Sequence, residues 1–415
     1  MGGKEMRKIK FITIMKWTVN ADLIKMTGQI PYNLYKKYGY DSTLITYKNE
    51  TIDDLSEEEK KFNMPVEKYT YQETLVKGLK LEFLKREGKF LGLDKAILKY
   101  IIKNAKSIDV LNLYHYSLQT MIYTIIFKFL NKKGLVYITL DNDLGSLEYQ
   151  PYSLLLSHPK NKLRNFIAYR IIEPLFLRKV DFLSNETRNG TEKLKKLYKK
   201  YREKFFYQPY GIDENFILSN NIKVKSFEEK ENIILTVARI GNPQKNNELL
   251  LKALENIDLK DWKVILAGKV DPDFQPFIDN FFEKNPELKE KVIFTGHITD
   301  RNQLYDLYNK AKIFVMTSNF ESFGIVMVEA GYFGDYILTS NVASAKDITN
   351  NCDCGDIFEI GNIEEFQKKL QNLINNPEII KNNIPKITKH IRDNFIWSNI
   401  IDNLNSMIKE KLNDR

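Results

Sequence analysis

Two carboxylates, Glu321 and Glu329, are separated by seven residues in A-K-I-F-V-M-T-S-N-F-E-S-F-G-I-V-M-V-E-A-G-Y-F-G, residues 311–334. The β-branched and aromatic run 313–316 is short and bounded by Thr317, Ser318 and Asn319, which predicts a buried parallel strand. After a turn carrying Glu321, the pattern from Ser322 onward predicts a helix. The first turn of such a helix leaves amides unpaired and presents the positive end of the dipole, an arrangement that suits a phosphate. One glutamate then sits on the loop before the helix and the other about two turns along it, so the pair offers acceptors at two depths. Acidic acceptors are what a site needs to grip sugar and ribose hydroxyls while amides grip the diphosphate between them. From spacing alone, Glu321 could equally complement the helix dipole and Glu329 could equally be a solvated helix residue.

The stretch S-N-F-E-S-F-G-I-V-M-V-E-A-G resembles the signature of the retaining GT-B glycosyltransferases of family 4, the glycosyl transferases group 1, which include bacterial polysaccharide and lipid mannosyl- and glucosyltransferases. Upstream, L-T-V-A-R-I-G-N-P-Q-K-N-N-E-L-L-L-K-A-L matches that family's arginine and lysine with Arg239 and Lys245. The resemblance implies an α/β protein of GT-B type, with two Rossmann-like domains facing across a cleft. Its domains would be an acceptor-binding domain over 1–213, a linker over 214–231, a nucleotide-sugar-binding domain over 232–390, and a helix over 391–415 that packs back on the first domain. Y-Q-P-Y-G-I-D at 207–213 is similar to the family's segment closing the first domain, and Trp397 would anchor the returning helix.

The same resemblance implies roles. Arg239 and Lys245 would hold the diphosphate and stabilise charge on the departing phosphate oxygen. Glu321 would accept hydrogen bonds from the donor sugar, with Ser322, Phe323, Gly324 and Ile325 beside sugar or phosphate. Glu329 would take the ribose hydroxyls, and Ile298 would contact the nucleobase. Arg239, Lys245 and Glu321 are thus the expected catalytic residues. The implied reaction is hexosyl transfer from a nucleoside-diphosphate sugar, a UDP-sugar being favoured, to a glycan or lipid-linked acceptor, with retention by front-face attack. A GT-B epimerase, a phosphorylase and a non-catalytic nucleotide-sugar-binding module remain alternatives.

The first half departs from the family pattern. A loop is expected over 17–28; where many relatives carry a Gly-Gly pair there, this chain has D-L-I-K-M-T-G-Q-I-P-Y-N-L, leaving Asp22, Lys25, Gly28 and Gln29 as acceptor-side candidates. His115 follows the strand that opens at Val110, and Asp141 falls where a family histidine often stands near the reacting sugar. Asp141-x-Asp143 also resembles the metal-binding triplet of the other main glycosyltransferase fold, and Asp271-Pro272-Asp273 repeats the spacing. With cations and a helix dipole available for the diphosphate, no metal or other cofactor is expected. In the second half, V-A-S-A-K-D at 342–347 replaces the family's Gly-Gly and glutamate.

Around these residues, 415 residues with 43% hydrophobic and 28% charged content predict two globular domains with sizeable cores. The two cysteines, Cys352 and Cys354, are too close for an easy bridge, and the four histidines show no ligand spacing, so neither a disulfide framework nor a zinc site is expected. The basic start lacks the apolar run of a signal peptide, and 116–130 is interrupted by Gln119 and Lys128, so no membrane span is expected and a cytoplasmic location fits. A net charge of +9 calls for anionic partners. Seven basic residues between Lys193 and Lys204, interleaved with Leu194, Leu197, Tyr198 and Tyr201, make an anionic membrane surface a candidate, peripheral at the inner face of the plasma membrane. No nucleic-acid motif is present, and the oligomeric state is open. Strands are expected at 8–15, 42–47, 110–113, 134–140, 180–184, 232–237, 262–267, 292–295 and 335–340, with helix over 32–38, 70–103, 247–256 and 395–412.

Overall fold

The computed structural model describes residues 7–16, 18, 20–48, 76–140 and 166–414. These fall into two compact units, the first ending at Phe216 and taking up the chain again from Trp397, the second running from Ile217 to Ile396.

The first unit is built on seven strands: β1 (Lys10–Ile14), β2 (Asp41–Tyr47), β3 (Lys80–Leu84), β4 (Val110–Tyr114), β5 (Leu135–Leu140), β6 (Phe182–Asn185) and β7 (Phe205–Tyr207). Their order is β3-β2-β1-β4-β5-β6-β7 and every pairing is parallel. Ile14 of β1 lies between Ile45 and Leu113, and β4 and β5 are buried along their whole length, as parallel strands covered on both faces must be. Helices α1 (Met26–Tyr38), α2 (Leu118–Leu130) and α3 (Arg188–Leu197) connect them. Gly39, at φ 69°, closes α1 in the left-handed conformation, while Ser117 and Thr187 cap α2 and α3 by accepting from Thr120 N and Gly190 N.

Two expectations for this unit fail. The loop over 17–28 contains a helical turn, Asn20–Leu23, and α1 begins at Met26 with Gly28 and Pro31 inside it. The helix expected over 70–103 is, in its described part, β3, a two-stranded hairpin (Lys89–Phe90 and Leu93–Asp94) and a helix only from Lys95 to Asn104. Gly78, Gly88 and Gly92 all adopt positive φ there, and such residues end helices.

The second unit carries β8 (Ile233–Val237), β9 (Lys263–Ala267), β10 (Val292–Gly296), β11 (Ile313–Met316), β12 (Tyr336–Ser340) and β13 (Gly355–Phe358) in the order β10-β9-β8-β11-β12-β13, again all parallel. Helices α4 (Asn247–Leu254), α5 (Arg301–Lys310), α6 (Ile325–Tyr332) and α7 (Pro377–Asn394) pack around it. Tyr305, Tyr308, Phe314 and Phe333 are buried together, the Tyr308 and Phe333 rings stacked at 6.3 Å.

The polar stretch 214–231 is more ordered than a linker. It holds a helix, Glu214–Ser219, and a short turn, Phe227–Glu229, closed by a reciprocal capping box between Ser226 and Glu229. Its Lys230 is wholly buried, with Nζ 2.8 Å from Asp335 Oδ1 and within 2.7 Å of the Ala311 carbonyl.

The last helix, α8 (Trp397–Asn413), belongs to the first unit. It packs on α1, where Lys37 and the Tyr38 hydroxyl both reach Asp402, each at 2.5 Å, and Tyr40 donates to Asn405 at 3.0 Å. Trp397 is buried against Tyr210, ring centroids 6.4 Å apart.

Candidate active site

In each sheet the strand order reverses beside its first strand, between β1 and β4 and between β8 and β11. Beyond the carboxyl ends of the strands at such a point, neighbouring loops diverge and leave a crevice. In the second unit the two loops that leave there are 238–246 and 317–324, and these carry the expected charged residues.

The loops are laced together. Thr317, the first residue after β11, donates to the carbonyls of Lys245 (3.1 Å) and Asn246 (3.0 Å). Asn319 N donates to the Gln244 carbonyl at 2.8 Å, and Asn319 Nδ2 to the Pro243 carbonyl at 2.9 Å. On this frame Lys245 Nζ meets Glu321 Oε1 at 2.5 Å. The same oxygen accepts from Ser318 Oγ at 2.7 Å, and Oε2 accepts from Gln244 Nε2 at 3.4 Å. Glu321 is buried while Lys245 remains about a quarter exposed, so the cation faces outward with its position fixed from behind.

Arg239 lies on the same loop, is exposed, and has no ion-pair partner among the described residues. Its loop is fixed by close backbone approach: Ala238 N donates to the Ala267 carbonyl at 3.0 Å and Ile240 N to the Lys269 carbonyl at 2.9 Å. A Cβ on Gly268 would lie 1.7 Å from the Ala238 carbonyl oxygen, so only glycine fits there.

Gly324, at φ 80°, turns the chain into α6, which starts at Ile325. Phe323 is buried against Phe395, and its carbonyl accepts from the Ser344 hydroxyl, while Ser322, Gly324 and Ile325 are half-buried.

Glu329 is buried, which removes the solvated-helix reading. Its Oε1 accepts from Arg301 Nη2 at 2.5 Å and its Oε2 from the Tyr308 hydroxyl at 3.1 Å. Arg301 Nε in turn donates to the Tyr305 hydroxyl at 2.8 Å. Burial pushes the Tyr308 phenol well above its usual value, and the Glu329 charge adds to this. A carboxylate has about four lone-pair sites, so Glu329 has the capacity to accept beyond these two hydrogen bonds. Half-buried Ile298 follows β10 three residues before Arg301, which ties its loop to Glu329.

Arg301, Gln244, Ser318 and Thr317 belong to this constellation and were not singled out from sequence. The sequence signals the start of α5 and not the contact Arg301 makes: Asp300 caps α5 by accepting from Asn302 N at 2.9 Å, and an aspartate before an apolar-periodic run is a helix start.

The acceptor-side candidates separate. Gly28 and Gln29 lie in the packed interior: a Cβ on Gly28 would sit 2.3 Å from the Leu23 carbonyl, and Gln29 Nε2 donates to that carbonyl at 3.1 Å while its Oε1 accepts from Asn33 at 3.1 Å. Asp22 pairs with Lys25 at 3.1 Å. Asp141 lies outside the described residues. His115, exposed and left-handed at φ 66°, lines a cavity of about 270 Å³ at the reversal point of the first sheet, with Lys16, Ser117 and Gln119. Burial holds the Lys16 ammonium below the usual lysine value, with Asp94 opposing the shift. Asp271 caps a turn through Asp273 N, and no group of three or more His, Cys, Asp or Glu suited to a metal occurs among the described residues.

Residues 219–390 match the family model described as glycosyl transferases group 1. The chain is 25% identical over 207 residues to the capsular polysaccharide biosynthesis glycosyltransferase CapM of Staphylococcus aureus, covering 48% of this chain and 53% of CapM. It is 32% identical over 133 residues to the serotype-specific mannosyltransferase WbdA of Escherichia coli, covering 30% of this chain and 16% of WbdA. The chain thus spans less than two thirds of either relative. Among solved structures, Anabaena HepE in complex with UDP is similar with a TM-score of 0.66 and 14% identity, over 97% of this chain and 100% of that one. The chain thus has the fold of GT-B glycosyltransferase structures, and its residues 219–390 match the glycosyl transferases group 1 model.

Proposed function

We propose that the protein is a retaining glycosyltransferase of family 4 that moves a hexosyl group from a nucleoside-diphosphate sugar, with UDP favoured, to a glycan or lipid-linked acceptor of bacterial-type polysaccharide assembly. The observation that carries this reading is the Lys245–Glu321 pair fixed at the strand-order reversal of the second unit, on the loop that also carries Arg239, a cation with no ion-pair partner among the described residues. Two cations at a helix start would meet the diphosphate and its developing charge without a metal. Glu321, held by Ser318 and Gln244, would orient the donor sugar, and Glu329 would use its remaining acceptor capacity on the ribose. CapM's role in capsular polysaccharide and the UDP bound in HepE support the substrate class. His115 and Lys16 would serve the acceptor in the first unit, and an anionic membrane would present it if it is lipid-linked.

The test is a thermal-shift screen against UDP, GDP and ADP sugars, followed by transfer and hydrolysis assays on the best donor, with and without inorganic phosphate and chelator. The expected result is a donor-dependent rise in Tm, sugar transfer that survives chelation, and a product of unchanged anomeric configuration. Turnover only with phosphate would make it a phosphorylase, and binding without turnover would make it a non-catalytic module.

A further inference from the structure

One face of the first unit combines uncovered apolar side chains with cations. Right-handed crossovers from β3 to β4, β4 to β5 and β5 to β6 put the helix Lys95–Asn104, α2 and the helical segment 166–179 on one side of the sheet. Helix α2 packs against both of the others. The outer face of such a layer normally carries polar residues. Here Ile102, Phe129, Phe166 and Ile171 are 54%, 82%, 59% and 57% exposed. Leu91, 84% exposed, extends the surface from the tip of the hairpin, which is tied to α2 by Asp94 N donating to the Tyr123 hydroxyl at 2.7 Å and Gln119 Nε2 donating to the Gly92 carbonyl at 2.5 Å. Large apolar residues on adjoining elements, as opposed to scattered singly, mark an interaction surface.

The charge around them is mostly basic, although Lys99, Lys195 and Arg202 pair with Glu87, Glu192 and Glu203. Residues 95–106 hold Lys95, Lys99, Lys103 and Lys106 and no acid, and 166–179 hold Arg170, Arg178 and Lys179 against one glutamate, the buried Glu173. The basic stretch after α3 adjoins this layer, because the Tyr198 hydroxyl donates to Glu173 Oε1 at 2.8 Å. A depression there is lined by Lys195, Lys196, Lys199 and Arg202 together with Glu192 and Glu203. An apolar centre flanked by lysine and arginine fits the boundary between acyl chains and anionic headgroups.

We propose that this face, formed by the hairpin tip, α2 and the two helices beside it, docks on an anionic phospholipid bilayer. It extends and rests on the membrane element of the proposed function. Its test needs no turnover, so docking and glycosyl transfer stand or fall separately. The full chain is sedimented with vesicles of phosphatidylcholine alone and of equal parts phosphatidylcholine and phosphatidylglycerol, beside Phe129→Asp/Ile171→Asp and Lys196→Glu/Lys199→Glu. All four positions are on the surface, and an unchanged Tm shows that the variants fold. Binding to the anionic vesicles is expected, weakening as salt is raised, and falling at least about tenfold in each double variant. Equal binding of wild type and aspartate variant, or no binding to anionic vesicles, overturns the proposal. So does a lipid-free dimer that the same aspartates abolish, which would assign the face to a second copy of the chain.

Discussion

Glu321 is held by three side chains from two loops, and its chemistry depends on that crowding. Because Lys245 and Ser318 share Oε1, replacing the lysine leaves a buried carboxylate with only neutral donors. Lys245→Ala is therefore expected to lower kcat about 10²–10³-fold in a transfer assay, the usual scale for losing one group that stabilises transition-state charge. Arg301 acts at one remove. Arg301→Gln removes the ionic donor that holds Glu329, so with Glu329 on the ribose as proposed, KM for the donor should rise about tenfold with kcat little changed, and discrimination against a 2′-deoxyribose donor should shrink, as measured by steady-state kinetics on both donors. The Glu321 and Lys245 positions were legible because each sits in a compact local pattern. Arg301 was not, since it meets Glu329 across 28 residues of sequence and no local pattern announces that contact. Gln29 and Gly28 were misplaced for a related reason: the stretch after the first strand suggested a loop, whereas Pro31 and Gly28 fit inside a helix whose backbone touches Leu23.

Central strands such as β4, β5, β8 and β11 could be read from the chain because burial on both faces demands continuous apolar runs. Edge strands relax that demand. β3 alternates lysine, leucine and glutamate with partial exposure, β7 has three residues, and neither shows a run that separates it from helix or loop. The turn directly after β9 makes a sharper claim. Gly268→Ala should cost at least about 2 kcal/mol in urea unfolding, because the added carbon overlaps the Ala238 carbonyl and one of the two backbones must move. The buried Lys230–Asp335 pair offers a pH test. Burial raises Asp335 from the ordinary 3.8 to about 7, with Lys230 opposing, and its Oδ2 has no hydrogen-bond partner among the described residues. A carboxyl raised in the folded state contributes most below its unfolded pKa and loses that contribution as pH rises through the folded one. Tm of the wild type relative to Asp335→Asn should accordingly fall between pH 3.8 and about 7.

At the scale of the molecule, the described part of the second unit is one uninterrupted piece of chain, residues 217–396, while the first is completed only by α8. The piece 217–396 alone should unfold cooperatively and gain Tm with the donor nucleotide, as followed by circular dichroism. Removing residues 397–415 from the full chain strips Trp397, Ile401, Leu404 and Ile408 from the first unit. Each such side chain is worth about 1.5–3 kcal/mol when buried, and the sum rivals the whole stability of a typical domain, about 5–15 kcal/mol. This arrangement also sets a timetable. A ribosome releases β1 to β7 early, yet the Tyr38 hydroxyl and Asp402, like Tyr40 and Asn405, can meet only after the entire intervening unit has been translated, so the nascent first half waits, with the flank of α1 bare, for a segment that certifies that everything upstream of it has been made.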